Sequence, residues 1–306
     1  MNSSLPPPET HGFRLDTMDE ITYDASPEVA QMYKLSPFVW HANDRFELLL
    51  RVVNRDDDAS KKVARVHYGT SLDGVHFTLE DAPVIAPDPD LDADDNGGCE
   101  DPSLAIVDGK RHVYYTGWNE RAKRGELLLA SGDDLHHLVK RGIALASSEA
   151  ARNPKEAEIV RADDGSWRLF FEYAHDDRSK IGIARSANVD GPWDVLPPLF
   201  EARPDLWDTY HLSTGPVVTT NPEFPVMFYN GATQGVQWRI GWVVFDRGYT
   251  RVVARSHEPI VLPHIKRLHD DTDIAFAASA IDIDGEIHLY YSVADQYVIR
   301  AKIHRV

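Results

Sequence analysis

A two-stranded unit recurs five times along this chain of 306 residues. Each unit has an apolar strand, a tight polar turn and a second strand rich in aromatic residues. The units span residues 36–53, 103–118, 157–173, 216–229 and 277–293, with turns at Asn43-Asp44, Asp108-Gly109, Asp164-Gly165, Asn221-Pro222 and Asp284-Gly285. Asp-Gly between alternating apolar runs is a strong hairpin signal, and convincing amphipathic helices are scarce. The pattern predicts an all-β protein.

The spacing of the units restricts the choice among all-β architectures. They recur about every 55–65 residues, which suits a four-stranded blade with long loops, and a third strand follows each hairpin. We therefore predict a single five-bladed β-propeller over residues 1–306, with residues 1–30 as an N-terminal extension. In such a fold the innermost strands surround a central depression, so carboxylates at equivalent blade positions are the first candidates for catalysis. A β-sandwich is the alternative, but it does not explain so long a repeat.

Composition excludes several classes of protein. The net charge is −17, from 49 acidic and 32 basic residues, and it disfavours binding to nucleic acid or to anionic membranes. No apolar run is long enough to span a bilayer, and the proline-rich start does not resemble a signal peptide. Cys99 is the single cysteine, which rules out an internal disulfide and favours a reducing compartment. We expect a cytoplasmic protein.

One segment stands out as a candidate site: residues 96–102, which read Asn-Gly-Gly-Cys-Glu-Asp-Pro. Its glycines let the backbone approach a ligand, and Pro102 fixes the direction in which the chain leaves. Glu100 and Asp101 would then lie at the mouth of the depression. An acidic turn that binds its own backbone amides explains the segment equally well.

The Glu100-Asp101-Pro102 motif, Ser36-Pro37 with residues 48–51 (Leu-Leu-Leu-Arg), and the tail from Asp270 to Asp295 resemble glycoside hydrolase family 130. That family contains β-mannoside phosphorylases and hydrolases on a five-bladed propeller, and the likeness runs from about residue 36 to 303. The resemblance implies that Asp101 is the general acid. It also implies that Arg51, Asp273 and Asp295 contact the sugar, although a turn cap would also account for the two aspartates.

The departures from the family pattern lie where the phosphorylases carry basic residues. Ser103 follows Pro102 where they have arginine, Phe171-Glu172 replaces a histidine-arginine pair, and Tyr229-Asn230-Gly231 replaces Tyr-His-Gly. His211 and its neighbours likewise stand where they carry Lys-Ile-Gly. A phosphorylase must hold a phosphate dianion with cations, whereas a hydrolase needs a carboxylate that deprotonates water. We therefore predict an inverting β-mannoside hydrolase with Glu172 as the general base, and with Glu158 and Glu120 as alternatives.

The remaining candidates are substrate contacts. Sugars stack on aromatic rings, and the aromatic candidates near the predicted inner strands are Trp118, Trp207, Tyr210, Tyr229 and Trp238. The other expected ligands of the oligosaccharide are Glu100, Arg121, His211 and Asn230. Because Arg121 and His211 could form an anion pocket, phosphorolysis with inorganic phosphate stays open.

Other functions stay open as well. They are a catalytically silent sugar-binding propeller and a distant β-fructosidase-like or arabinan-type hydrolase. No organic cofactor is implied, and the spacing around His136-His137 does not match a zinc site. Loops of a neighbouring subunit in a homo-oligomer could also shape the pocket.

Overall fold

The computed structural model describes residues 12–264 and 273–306, and β-strands dominate both parts. The helical elements among these residues are α1 (Pro27–Ala30) and a short 3₁₀ turn (Ala59–Lys61). In chain order the strands are β1 Phe13–Glu20, β2 Thr22–Asp24, β3 Tyr33–Ala42, β4 Arg45–Val53, β5 Ala64–Ser71, β6 His76–Ile85, β7 Gly98–Val107, β8 Lys110–Asn119, β9 Arg124–Gly132, β10 Val139–Leu145, β11 Arg152–Arg161, β12 Trp167–His175, β13 Arg178–Ser186, β14 Asp194–Leu196, β15 His211–Ser213, β16 Val217–Val218, β17 Val226–Met227, β18 Asn230–Ala232, β19 Trp238–Ile240, β20 Val243–Phe245, β21 Val252–Arg255, β22 Ala275–Ile283, β23 Glu286–Val293 and β24 Tyr297–Arg305. The predicted all-β class is confirmed. Within the described ranges no helix has the length and apolarity needed to cross a membrane.

Each predicted hairpin is present as an antiparallel strand pair. The pairs are β3–β4, β7–β8, β11–β12, β16–β17 and β22–β23. At Asp108-Gly109 both turn residues have positive φ angles, 50° and 78°, and Asp284-Gly285 repeats this at 54° and 89°. Two left-handed residues give a turn whose twist matches the strands, which explains the Asp-Gly signal.

The strands form sheets that follow one another along the chain. We name them sheet I (β2-β6-β5-β4-β3), sheet II (β10-β9-β8-β7), sheet III (β11-β12-β13-β14), sheet IV (β15-β18-β19 together with β16-β17-β20-β21) and sheet V (β1-β24-β23-β22). The first strands of sheets V, I, II and III contact one another in that order: β22 contacts β3, β3 contacts β7, and β7 contacts β11. Sheet IV contacts both sheet III and sheet V, since β15 contacts β13 and β16 contacts β22.

Sheet IV is divided into two short ladders by its own sequence. Pro216 has no N–H to donate to a ladder, although its carbonyl still accepts from the Phe228 amide at 2.9 Å. A Cβ atom at Gly215 would lie 1.8 Å from the Phe228 carbonyl oxygen, so the two backbones pass too closely there for any side chain. Regular pairing therefore stops between β15 and β16.

The N-terminal segment, predicted as an extension over residues 1–30, contributes strands to two sheets. Residues 1–11 of that segment lie outside the described residues, but β1 pairs antiparallel with β24 and β2 pairs parallel with β6. The start of the chain thus supplies the outer strand of sheet V and, one residue later, an outer strand of sheet I. The backbone hydrogen bond from Ile21 to Val298, 2.8 Å long, joins the same regions.

The apolar cores lie between neighbouring sheets. Between sheets IV and V, Phe228 and Val244 pack with Leu289 and Tyr291, all fully or almost fully buried. Between sheets I and II, Leu49 packs in one cluster with Cys99. Burying a side chain of leucine or phenylalanine size stabilises a fold by about 1.5–3 kcal/mol. This packing holds the first strands, and the side chains that they carry, in fixed relative positions.

Candidate active site

The first strands of sheets I, II and III each carry a β-bulge in the same place. The bulges lie between Leu35 and Phe38, between Glu100 and Ser103, and between Lys155 and Glu158. In each, the residue after the first partner has a left-handed backbone: φ is 46° at Ser36, 49° at Asp101 and 50° at Glu156. Such a conformation costs a non-glycine residue about 1–3 kcal/mol and clusters at functional sites. The bulges aim these three side chains toward a common centre.

A narrow cavity lies at that centre. It encloses about 10 Å³, which is room for about one water molecule. The first-strand segments of all five sheets line it, through Ser36, Asp101, Pro102, Glu156, Ala157, Glu158, Thr214, Gly215, Ala277 and Ala278.

A wider cleft of about 190 Å³ adjoins the narrow cavity and shares Ser36 and Glu156 with it. Its lining residues are Leu35, Ser36, Arg51, Lys155, Glu156, Glu172, Ser179, Trp238, Ile274, Phe276, Ser292 and Asp295. The cleft therefore combines several carboxylates with an aromatic wall. This is the composition of a site for a polar, ring-shaped ligand.

Arg51 ties the Glu100-Asp101 motif to sheet I. Its guanidinium contacts Asp101 Oδ1 at 3.0 Å and Glu100 Oε2 at 2.9 Å, and the Ser36 hydroxyl donates to Asp101 Oδ1 at 2.6 Å. Burial by itself would raise the pKa of Asp101, which is 5% exposed, but the charges of Arg51 and Lys155 and these hydrogen bonds lower it overall. For Glu100 burial prevails and the pKa is raised.

Glu172 faces Lys155 across the bulge of sheet III. Lys155 Nζ lies 3.3 Å from Glu172 Oε1, and this carboxylate is the main reason that the pKa of Lys155 is raised. Glu172 is only 3% exposed, and its second oxygen, Oε2, is buried and has no hydrogen-bond partner among the described residues. An unpaired buried acceptor at the edge of a cleft is costly, and a ligand hydroxyl or a water molecule would satisfy it.

Aromatic rings form one wall of the cleft. Trp238 packs edge-on against Phe276, with ring centroids 5.2 Å apart, and lies 5.7 Å from the His211 ring. His211 Nδ1 accepts a hydrogen bond from the Ser179 amide at 3.1 Å. Burial lowers the pKa of His211, although the nearby Glu172 opposes this, so the ring is neutral near pH 7.

Two further predicted sugar ligands lie at this end of sheet V. Asp295 lines the cleft and has a left-handed φ of 48°. Asp273 is half-buried, and its backbone carbonyl accepts from the Trp238 amide at 2.8 Å. The structure thus brings Arg51, Glu100, Asp101, Glu172, His211 and Asp295 together around one centre, with Asp273 beside the aromatic wall.

Among the described residues that line the narrow cavity and the wider cleft, neither Trp118 nor Arg121 is present. The Trp118 indole donates to Glu120 Oε2 at 2.9 Å, and Glu120 is also paired with Lys123. Arg121 is exposed and pairs with Asp92 on the surface. The structure therefore moves these two predicted ligands, and the alternative base Glu120, away from the candidate site.

Tyr229 and Asn230, two predicted sugar ligands, are fully buried and line neither cavity. The Tyr229 hydroxyl donates to Asp208 at 2.6 Å, and its ring stacks on Trp207. Asn230 joins sheets IV and V: its side-chain amide accepts from the Ala277 amide at 2.7 Å and donates to the Thr214 and Ala277 carbonyls at 2.9 and 3.2 Å. Both side chains are packed inside the protein, next to the irregular pairing in sheet IV.

We expect Asn230→Ala to destabilise the protein without changing how it binds substrate. Losing three buried hydrogen bonds and leaving the Ala277 amide unpaired should lower the free energy of unfolding by about 2–4 kcal/mol. Urea denaturation measures this change, and KM of the folded variant should equal that of the wild type. A raised KM with unchanged stability would return Asn230 to the ligand-binding residues.

The other alternative base, Glu158, has a structural partner. Its Oε1 accepts from the Val217 amide at 2.9 Å, and burial raises the pKa of its carboxyl to about 8. Tyr210, another aromatic candidate, lies under the Arg178 guanidinium, 4.5 Å from it. Neither residue lines the wider cleft.

The sequence patterns did not identify Lys155 and Glu156 as site residues. Their signal lies in the repeat: Ser36, Asp101 and Glu156 are separated by intervals of 65 and 55 residues, within the period of the hairpins, and all three occupy the same bulge position. Aligning the units on their bulges, rather than on their turns, would have found them. Among the described residues no group of three or more His, Cys, Asp or Glu side chains is arranged to hold a metal ion.

Comparison with known proteins assigns a family to this arrangement. The model of glycoside hydrolase family 130, described as beta-1,4-mannooligosaccharide phosphorylase, matches residues 16–305. A 1,2-beta-oligomannan phosphorylase of Thermoanaerobacter sp. (strain X514) is 25% identical over 264 residues, which cover 84% of each chain.

Two solved structures resemble the fold. Beta-1,2-mannobiose phosphorylase from Listeria innocua, in complex with beta-1,2-mannobiose, has a TM-score of 0.75 and 20% identity, covering 93% of this chain and 90% of that one. The second structure has the description "The GH130 family of mannoside phosphorylases contains glycoside hydrolases that target beta-1,2 mannosidic linkages in Candida mannan". It has a TM-score of 0.75 and 22% identity, covering 99% and 96%. Since the family model spans almost the whole sequence, the chain belongs to glycoside hydrolase family 130.

Proposed function

We propose that this chain hydrolyses β-linked mannosides with inversion, in a cleft at the centre of a five-bladed β-propeller. The cyclic contacts between sheets I to V, and a narrow cavity lined by the first-strand segments of all five, support the propeller. The family match and the named β-mannoside phosphorylases support the substrate class. The observation that carries hydrolysis is the charge of the cleft.

Carboxylates outnumber cations at this site. Glu100, Asp101, Glu156, Glu172 and Asp295 surround the centre, whereas the cations that line the cleft, among the residues described, are Arg51 and Lys155. Both cations are already paired: Arg51 with Glu100 and Asp101, and Lys155 with Glu172. A phosphate dianion would have to displace these carboxylates or lie beside them, which like-charge repulsion opposes. Neutral water meets no such penalty.

The registers of sheets I and III support a different charge at equivalent positions. Glu172 pairs with Lys155 in sheet III as Arg51 pairs with Leu35 in sheet I, each beside a bulge. Glu172 thus provides a carboxylate at a second-strand position where sheet I provides a cation.

We assign the reacting groups on this basis. Asp101 protonates the glycosidic oxygen. Glu172, whose Oε2 has no partner in the part of the chain that the structure describes, removes a proton from the water that attacks the anomeric carbon from the opposite face. The C–O bond to the leaving sugar breaks as the bond to water forms, and the product is the inverted sugar. Arg51, Asp273 and Asp295 hold sugar hydroxyls, and the ring of Phe276 or Trp238 supports an apolar sugar face.

Phosphorolysis is the second candidate, because the curated relatives are named as phosphorylases. These names support phosphorolysis better than they support hydrolysis. In that reading Lys155 and Arg51 would exchange their carboxylate partners for phosphate.

Products distinguish the two reactions. We expect β-1,2-, β-1,3- or β-1,4-mannobiose to release free mannose at equal rates with and without inorganic phosphate, with α-mannose formed first. Mannose 1-phosphate that appears only with phosphate would replace hydrolysis by phosphorolysis. Binding of a mannobiose in calorimetry without turnover in either buffer would instead favour the sugar-binding module.

A further inference from the structure

Glu156 lies where the two cavities meet, and the mechanism above does not use it. It lines both the narrow cavity and the wider cleft, on a bulge that repeats the backbone of the Asp101 bulge in the next sheet. The φ angles of the two residues differ by one degree, 49° and 50°. Keeping a glutamate in this left-handed conformation is unfavourable, so its position calls for a functional explanation.

We propose that Glu156 and Asp101 share one proton, and that Glu156 thereby acts as a positioning residue that retains the proton which Asp101 delivers to the leaving group. The proposal rests on the proposed function, in which Asp101 is the general acid. It resolves a difficulty in that assignment, because Asp101 beside Arg51 has reason to lose its proton.

Charged groups from several strands face this pair. From β4 comes Arg51, from β7 come Glu100 and Asp101, and from β11 itself come Lys155 and, across the narrow cavity, Glu158. From β12 comes Glu172, from the turn after β23 comes Asp295, and from β15 comes the neutral His211. Negative groups outnumber positive ones, so the cluster has reason to keep a proton.

The two carboxyls respond to these surroundings in opposite directions. Burial is the first cause that raises the pKa of Glu156 well above its usual range, the Asp101 carboxylate is the second, and Lys155 opposes them. Arg51, Lys155 and Ser36 outweigh burial at Asp101 and lower its pKa. Two interacting carboxyls driven apart in this way keep one proton between them over a wide pH range.

The shared proton balances the reaction. As the glycosidic bond breaks, the one shared proton passes from the pair through Asp101 to the departing oxygen; a proton resting on Glu156 reaches Asp101 either directly or through the narrow cavity, which has room for about one water molecule. Both carboxyls are then ionised. Glu172 has meanwhile taken a proton from the attacking water and releases it to solvent, from which the pair is reprotonated.

Glu156→Gln tests the proposal through the pH dependence of kcat/KM. In the wild type the alkaline limb reports loss of the shared proton. Glutamine removes the second charge, so Asp101 alone, held at a low pKa by Arg51, should lose its proton at lower pH. We expect the alkaline limb to move down by about one pH unit or more, with activity recovered at acidic pH. The matched control Glu120→Gln, the same change at a glutamate that lines neither cavity and pairs with Lys123, should leave the limb in place.

A measurement without substrate separates this proposal from the proposed function. NMR titration of isotope-labelled glutamate side-chain carboxyls should show a high-pKa group that disappears in Glu156→Gln, and Glu156→Asp should restore part of the wild-type pH profile. An unmoved alkaline limb in Glu156→Gln, or no loss of a high-pKa signal, would overturn the shared proton. A wild type that shows the titration but cleaves no β-mannoside would overturn the proposed function alone.

Discussion

Asp101→Asn should lower kcat on a mannobiose by about 10²–10⁴-fold, because asparagine cannot protonate the departing sugar oxygen. The variant should fold, since asparagine tolerates the left-handed backbone at this position and can still accept from Ser36 and Arg51. Steady-state kinetics on the mannobiose gives the size of the loss. A dinitrophenyl β-mannoside, whose leaving group needs little protonation, should lose far less.

Asp108→Asn is the matched control. Asp108 lies in the turn between β7 and β8, on the same hairpin as Asp101, with a similar φ of 50°. The substitution is chemically identical but lies at the far end of the hairpin from the cleft, and we expect wild-type kinetics. Equal losses in both variants would point to a general effect on sheet II, and full activity in Asp101→Asn would remove Asp101 from the chemistry.

Glu172→Gln should reduce hydrolysis by a comparable factor of about 10²–10⁴ through loss of the general base. In the wild type, Lys155 Nζ lies 3.3 Å from a carboxylate oxygen of Glu172. The substitution should leave this lysine without that charged partner. A small anionic nucleophile needs no deprotonation and would be attracted to this lysine. We therefore expect azide to restore turnover and to yield the α-mannosyl azide, because attack comes from the face opposite the leaving group.

Product analysis by NMR decides this test, with Glu120→Gln as the matched control. Glu120 lines neither cavity and pairs with Lys123, so its neutral variant should hydrolyse as the wild type does and gain nothing from azide. Hydrolysis that survives in Glu172→Gln would assign the base to another carboxylate of the cleft. Mannose 1-phosphate formed by the wild type in phosphate would contradict the role of Glu172 as a base for water.

Much of the fold could be read from local sequence because local interactions set it. Two left-handed residues at Asp108-Gly109 or Asp284-Gly285 form a turn wherever they occur, and the alternating strands on either side then pair across it. The motif Glu100-Asp101-Pro102 and the arginine at position 51 can also be recognised from short stretches of sequence. Their place at one centre follows once the hairpins are known to repeat.

In sheet IV the local sequence does not predict which side chains face the cleft. The alternation along a strand assigns a side chain to a face only when the register is known, and a shift of one residue reverses that face. Gly215 and Pro216 interrupt the regular pairing, and Tyr229 and Asn230 are fully buried, although the resemblance to the family suggests that they contact the sugar. The prediction for Arg121 has a related weakness, because its closeness in sequence to Trp118 does not place its side chain at the site.

The sequence by itself determined the hairpins, their number and the carboxylate motif, because each depends on residues a few positions apart. Only the tertiary structure decided that Glu156 shares a cavity with Asp101 and that Lys155 pairs with Glu172. Those relationships depend on how a bulge rotates a side chain and on how separate sheets pack side by side. Contacts between residues so far apart are fixed by the packing of the sheets, and no short stretch of sequence records them.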